Sequence, residues 1–133
     1  MLDTNILIYL IKNRPAEVAE HINRLTPDDT LCMSFVTYAE LLKGAERSAR
    51  RDQVLLQLDA LTGQVPVHYQ LDAGTCQHYA RQSTRLRDAG TPIGANDLWI
   101  ACHALSLGCV LVSNNLREFK RIEALQLENW AVA

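Results

Sequence analysis

At 133 residues the chain is the length of one domain, and a composition 48% hydrophobic and 21% charged excludes a disordered polypeptide. The formal net charge of −2 excludes a polycation, so any nucleic-acid contact must come from a local basic patch. No apolar run approaches the roughly 20 residues that cross a bilayer, and there is no signal-peptide pattern, so we expect a cytoplasmic chain without membrane contacts.

Taken in chain order, the first strand is expected to be short. Only Met1 and Leu2 precede Asp3, against about five residues for a central strand; either upstream residues are missing from this sequence or the strand is unusually brief. Ile6, Leu7, Tyr9, Leu10 and Ile11 then recur at helical spacing until Asn13-Arg14-Pro15. Pro15 is expected to be the first residue of a second helix, with Val18, Ile22 and Leu25 as its apolar stripe. Thr26-Pro27-Asp28-Asp29 reads as a turn and Leu31 to Phe35 as a strand, after which Thr37-x-x-Glu40 matches a capping box for a helix through Ala45. Another helix is expected from about Arg51 to Leu61, ended by Gly63, and then an edge strand at Val65-Pro66-Val67. Asp72 to Asp88 reads as one long helix, and about Asn96 to Ser106 as another, closed by Gly108. A buried strand at Cys109 to Ser113, a short helix at Arg117 to Arg121 and a last strand at Leu127 to Trp130 complete the pattern. Strands alternating with helices predict a single three-layer α/β/α domain over 1–133 with a mostly parallel central sheet.

The residues that carry chemistry stand at the handovers between these elements. Asp3, Glu40 and Asp97 each lie near a helix start after an apolar stretch or loop, and a fourth handover at Ser113 delivers Asn114-Asn115 instead of an acid. The strand ends along one edge of an open α/β sheet share a crevice. Carboxylates gathered there repel one another unless a cation sits between them. Any one of these acids is explained by helix capping, but Asp97 opens an otherwise apolar helix, where a carboxylate must be paired, solvated or bound to metal. An all-oxygen donor set suits Mg²⁺ or Mn²⁺ and not Zn²⁺, and the four histidines show no zinc spacing. Phosphate-cradling and nucleophile-elbow motifs are absent. Metal-assisted phosphodiester hydrolysis fits what remains. Lys43 and Arg47 lie three and seven residues beyond Glu40, which puts both on its face as candidate RNA contacts. Arg50-Arg51, the group Arg81, Arg85 and Arg87, and the group Arg117, Lys120 and Arg121 form further basic clusters. Cys32, Cys76, Cys102 and Cys109 lack Cys-x-x-Cys spacing and read as buried, reduced thiols.

Asp3-Thr4-Asn5, Glu40-Leu41-Leu42-x-Gly44-Ala45, Asn96-Asp97-x-x-Ile100-Ala101 and Ser113-Asn114-Asn115-x-x-Glu118-Phe119 together resemble the successive motifs of PIN-domain ribonucleases, and among those the VapC-type toxins of toxin–antitoxin pairs. The resemblance covers essentially the whole chain. It implies a Mg²⁺- or Mn²⁺-dependent endoribonuclease that cuts structured RNA such as tRNA and so stops translation. It also implies a VapB-like antitoxin partner, a homodimer, and a higher hetero-oligomer with the antitoxin. Carried over by motif, Asp3 and Asp97 would be the principal metal ligands, with Glu40 helping to position the attacking water and Asn5 and Ser113 orienting ligands or water. The family often has a fourth acid where this chain has Asn115. That departure favours one well-occupied Mg²⁺ site in the absence of RNA, and Glu118 is the candidate to compensate. Two competing readings remain: a non-catalytic PIN-type scaffold that binds RNA or protein, and a receiver- or phosphatase-like domain, for which the second acid of an Asp-x-Asp start is missing at Asn5.

Overall fold

The structure is a computed structural model that describes residues 1–132. Four short strands form two parallel pairs. β1 (Met33–Ser34) lies beside β2 (Val67–His68), with Met33 opposite Val67, and β3 (Leu111–Val112) lies beside β4 (Leu127–Glu128), with Leu111 opposite Leu127. The N-terminal residues join the two pairs. The Leu2 amide donates to the Cys32 carbonyl at 2.8 Å, the Asp3 amide donates to the Val112 carbonyl at 2.9 Å, and Leu2 bridges Val112 in parallel. Backbone hydrogen bonds therefore run continuously in the order β2, β1, Met1–Asp3, β3, β4.

Side chains alternate across this surface, as strand geometry requires. Leu2, Met33 and Val112 enter one apolar cluster with Ile6 and Leu7 of α1 (Thr4–Lys12), Val18 of α2 (Ala16–Asn23), Leu41 and Ala45 of α3 (Phe35–Glu46), and Leu58 and Leu61 of α4 (Arg51–Gln64). Their chain neighbours Met1 and Leu111 enter a second cluster with Leu86 of α5 (Ala73–Asp88), the Leu98–Ala104 stretch of α6 (Ala95–Leu107) and Phe119 of α7 (Leu116–Phe119). Both faces of the parallel sheet are thus covered by helices, which is the expected three-layer arrangement. Each fully buried Leu, Ile or Phe in these clusters contributes about 1.5–3 kcal/mol by leaving water.

Several local expectations are corrected. The strand read at Leu31 to Phe35 is paired only at Met33–Ser34, and α3 begins at Phe35. Its cap is Ser34, whose Oγ accepts from the Val36 amide at 3.2 Å, so the Thr37–Glu40 capping box does not form. Thr37 is buried inside the first turn, and Glu40 stands well inside the helix. Gly63 does not end α4. The helix continues to Gln64, because Leu61 and Val65 are buried on either side of the last turn and the Val65 amide donates to the Leu61 carbonyl at 2.8 Å. An exposed glycine inside a helix costs about 1 kcal/mol, which this packing offsets. Pro15 is the cap of α2 and not its first helical residue. Cys76 lies exposed on α5, against the reading of four buried thiols, while Cys102 is buried and all four cysteines are free. Gly108 does close α6, at φ +66°, where a residue without Cβ is unstrained. Among the described residues, no helix is long and apolar enough to cross a membrane.

Candidate active site

Three helices and one strand end bring the acids together. Asp3 follows the central strand residue Leu2 and caps α1, its Oδ1 accepting from the Thr4 amide at 2.8 Å. The buried Ser113 hydroxyl, just past β3, donates to the other oxygen, Oδ2, at 2.8 Å and accepts from the Asn115 amide at 2.9 Å. Asp3 is itself only 4% exposed. Its burial pushes the carboxyl pKa above the ordinary range, with nearby Glu40 adding to the push, while the hydrogen bonds from Ser113 and Thr4 oppose it.

Glu40 reaches the same region from α3. Its Oε1 accepts a hydrogen bond of 2.7 Å from the Thr4 hydroxyl. Thr4 is the residue that sequence reasoning did not single out. The only signal for it was its position beside Asp3, where the first turn of α1 turns its hydroxyl toward α3.

Asp97 lies in the first turn of α6 and is pushed up to about 7, first by burial, then by a hydrogen bond with Glu118 and by the charges of Asp3, Glu118 and Glu40. Glu118, on α7, is held low by that same hydrogen bond from Asp97, by the Asn115 amide and by nearby Arg121. The surroundings thus favour the protonated form of Asp97 and the charged form of Glu118. Asn115 stands between them: its Nδ2 donates to Asp97 Oδ2 at 3.2 Å and to Glu118 Oε2 at 3.0 Å. Glu118 therefore belongs to the site, brought there by the single turn of α7.

The remaining candidates divide. Lys43 is exposed and lines a cleft with Glu40 and Asn96. Arg47, the residue after α3, is exposed outside that cleft. Asn5 is exposed and, among the described residues, makes no side-chain hydrogen bond to the acids. One residue in each of the three further basic clusters is paired within the chain. Arg51 pairs with Glu46 at 2.8 Å and with Asp52 at 3.1 Å. Arg85 donates to Gln82 at 2.7 Å and to the Arg121 carbonyl, and Arg121 donates to the Pro92 carbonyl at 2.9 Å.

Among the described residues, no three His, Cys, Asp or Glu side chains converge to ligate one ion by themselves. The donor chemistry nevertheless fits Mg²⁺ or Mn²⁺, which keep several waters and are often held by only one or two carboxylates. Asp3 and Asp97 are both raised, first by burial and then by neighbouring carboxyls, and a cation would favour the charged form that both effects oppose.

Residues 1–125 match the PIN domain family. The chain is 52% identical over 130 residues to the protein named Ribonuclease VapC1 of Haemophilus influenzae (strain R2866), covering 98% of this chain and 96% of that one. It is 39% identical over 131 residues to the tRNA(fMet)-specific endonuclease VapC of Shigella flexneri, covering 98% and 97%. Among solved structures it superposes on VapBC-1 from nontypeable Haemophilus influenzae with a TM-score of 0.92 at 51% identity, covering 99% of this chain and 98% of that one. It also superposes on VapBC2 from Rickettsia felis, described as bound to a DNA fragment from their promoter, with a TM-score of 0.90 at 36% identity, covering 98% and 97%. The family match and these likenesses over nearly the full length agree: the chain belongs to the PIN domain family, alongside the VapC proteins.

Proposed function

We propose that this chain is a metal-dependent endoribonuclease, the toxin of a toxin–antitoxin pair, acting in the cytoplasm on structured RNA such as tRNA to stop translation. The observation that carries the reading is the gathering of Asp3, Glu40, Asp97 and Glu118 at one set of strand ends, where burial first and the neighbouring carboxyls second push Asp97 up to about 7. The names of the relatives, a ribonuclease and a tRNA(fMet)-specific endonuclease, supply the substrate class.

Asp3 and Asp97 would hold Mg²⁺ or Mn²⁺, the ion that neutralises charge developing on the scissile phosphate and makes water a stronger nucleophile. Ser113 keeps Asp3 in one rotamer by donating to Oδ2, leaving its oxygens fixed toward the crevice. Thr4 does the same for Glu40, whose second oxygen stays free to orient the attacking water and take its proton. Asn115 holds both Asp97 and Glu118, and a cation bound at Asp97 would favour its charged form. Lys43, on the rim beside Glu40, is placed to meet an RNA phosphate. A VapB-like antitoxin is the partner this reading expects, from the VapBC assemblies it superposes on, with a homodimer inside a larger complex.

The test is tRNA incubated with the chain in Mg²⁺, in EDTA, and with Asp97→Asn. Cleavage in Mg²⁺ only, reduced at least about a hundredfold in the variant, is expected, because the ion supplies both nucleophile and charge stabilisation. Cleavage that survives EDTA or the substitution contradicts the reading. RNA retained without any cleavage would favour the scaffold alternative, which Asn115 at the fourth position motivates.

A further inference from the structure

Beside the acids, between the starts of α3 and α6, lies a cleft of about 280 Å³, of whose lining the proposed chemistry uses only Glu40 and Lys43. Phe35, Val36 and Ala39 give it an apolar wall, Glu40 closes the side toward the acids, and Lys43 and Asn96 form its rim. Both rim residues are exposed, and among the described residues neither side chain engages a hydrogen bond or salt bridge. The cleft is small beside sites for drug-sized ligands, which start at about 300 Å³. One flat ring system suits it.

We propose that this cleft is a base-selective subsite that takes the single nucleobase flanking the bond to be cut. The proposal rests on the ribonuclease reading and deepens it. A nucleobase has an apolar face and a polar edge, and the cleft offers the same two features in complement. Single-stranded RNA bases are read by being splayed out, packed on aromatic side chains and hydrogen-bonded along their edges. Phe35 supplies the aromatic surface. The Asn96 carboxamide supplies a donor beside an acceptor, the pattern that distinguishes bases by their edges. Lys43 supplies the positive charge for the phosphate joining that base to the reacting one, and Glu40, shared with the acid cluster, keeps the base next to the site of cleavage. Asn96 also immediately precedes Asp97, so the residue that reads the base and the residue that holds the ion move together on one helix turn.

The experiment compares wild type, Asn96→Ala and Phe35→Leu on short single-stranded RNAs that differ by one base on either side of the cut, with kcat and KM measured for each. Wild type should prefer one base at one of the two positions. Asn96→Ala should shrink that preference at least about fivefold while Mn²⁺ affinity stays within twofold of wild type. Phe35→Leu, which keeps the apolar wall, should raise KM about tenfold for every base, the order expected for loss of one stacking contact. A base preference untouched by Asn96→Ala overturns the proposal, and so does an equal loss on all RNAs accompanied by weakened Mn²⁺ binding, since Asn96 would then act only through Asp97. If wild type cuts no RNA, the hydrolase reading fails, and binding of the same RNAs to Asp97→Asn with and without Asn96→Ala decides the subsite separately: a changed base preference supports it and an unchanged one overturns it.

Discussion

Asn115 donates to two carboxylates at once, and that single amide replaces a charge with a hydrogen-bond donor at the centre of the acid cluster. Asn115→Asp removes the donor and adds a negative charge between Asp97 and Glu118. The metal-free protein should therefore melt at lower temperature than wild type, and Mg²⁺ should raise its Tm by more, because a cation binding only the folded state stabilises it by mass action. Thermal denaturation with EDTA and with Mg²⁺ checks both signs. Ser113 poses the opposite case. Ser113→Ala leaves the buried Asp3 short of one donor, which costs about 1–3 kcal/mol of stability, and urea unfolding in EDTA measures it. The Asp97 carboxyl gives a pH dependence with a definite sign. Its pKa of about 7 in the fold lies above the ordinary 3.8, so the folded state binds the extra proton. Its contribution to stability is fully present below the ordinary value and is lost as pH rises through about 7. The metal-free protein should gain Tm as pH falls from about 8 to about 6, and Asp97→Asn should flatten that rise. His103 acts the other way, since burial and nearby His68 hold it below its ordinary 6.5, and it removes stability as pH falls past that value.

At the scale of elements, α3 is the segment whose start decides the site. Ser34 caps it, and the same hydroxyl lies 2.9 Å from Nδ1 of the buried His103 on α6. The helix bearing Glu40 and the helix bearing Asp97 are thus tied through one small side chain. Ser34→Ala removes a cap, worth about 1 kcal/mol, and strands a buried ring nitrogen, worth about 1–3 kcal/mol more. A loss of about 2–4 kcal/mol in urea unfolding is expected, well above that of an ordinary cap. The same segment shows where sequence reasoning runs out. Thr37 and Glu40 have capping-box spacing, but Ser34, three residues earlier at the end of the strand, offers an equally good cap, and burial of Thr37 against the core settles the competition. Gly63 misleads for a related reason: Leu61 and Val65 pack the last turn of α4 and override the local preference of glycine. Pattern alone sees periodicity and cap chemistry. It does not see which of two caps the core can accommodate.

Across the whole molecule, the alternation of apolar strands with amphipathic helices was enough to expect a parallel sheet covered on both faces, because Leu2, Met33 and Val112 need helices on one face while their neighbours Met1 and Leu111 need them on the other. Asp3, Glu40 and Asp97 were legible for a similar reason: carboxylates near strand ends of one sheet edge must meet. Thr4 was not, since a threonine beside a cap residue has nothing in its sequence to say that its hydroxyl spans to a helix 36 positions away. Arg51 and Arg85 find partners within five residues, Glu46, Asp52 and Gln82, whereas the Pro92 carbonyl that Arg121 meets is remote in sequence and left no signal there. RNA cleavage by this fold depends, on the proposed reading, on an ion held by the acid cluster. Mn²⁺ titration of wild type and Asp97→Asn, with RNA cleavage followed in the same samples, tests it most directly. The account predicts about one ion bound per wild-type chain, cleavage rising in step with occupancy, and affinity weakened at least about tenfold in the variant. Equal Mn²⁺ binding by the two proteins, or full cleavage from a wild-type sample stripped of metal, would contradict it.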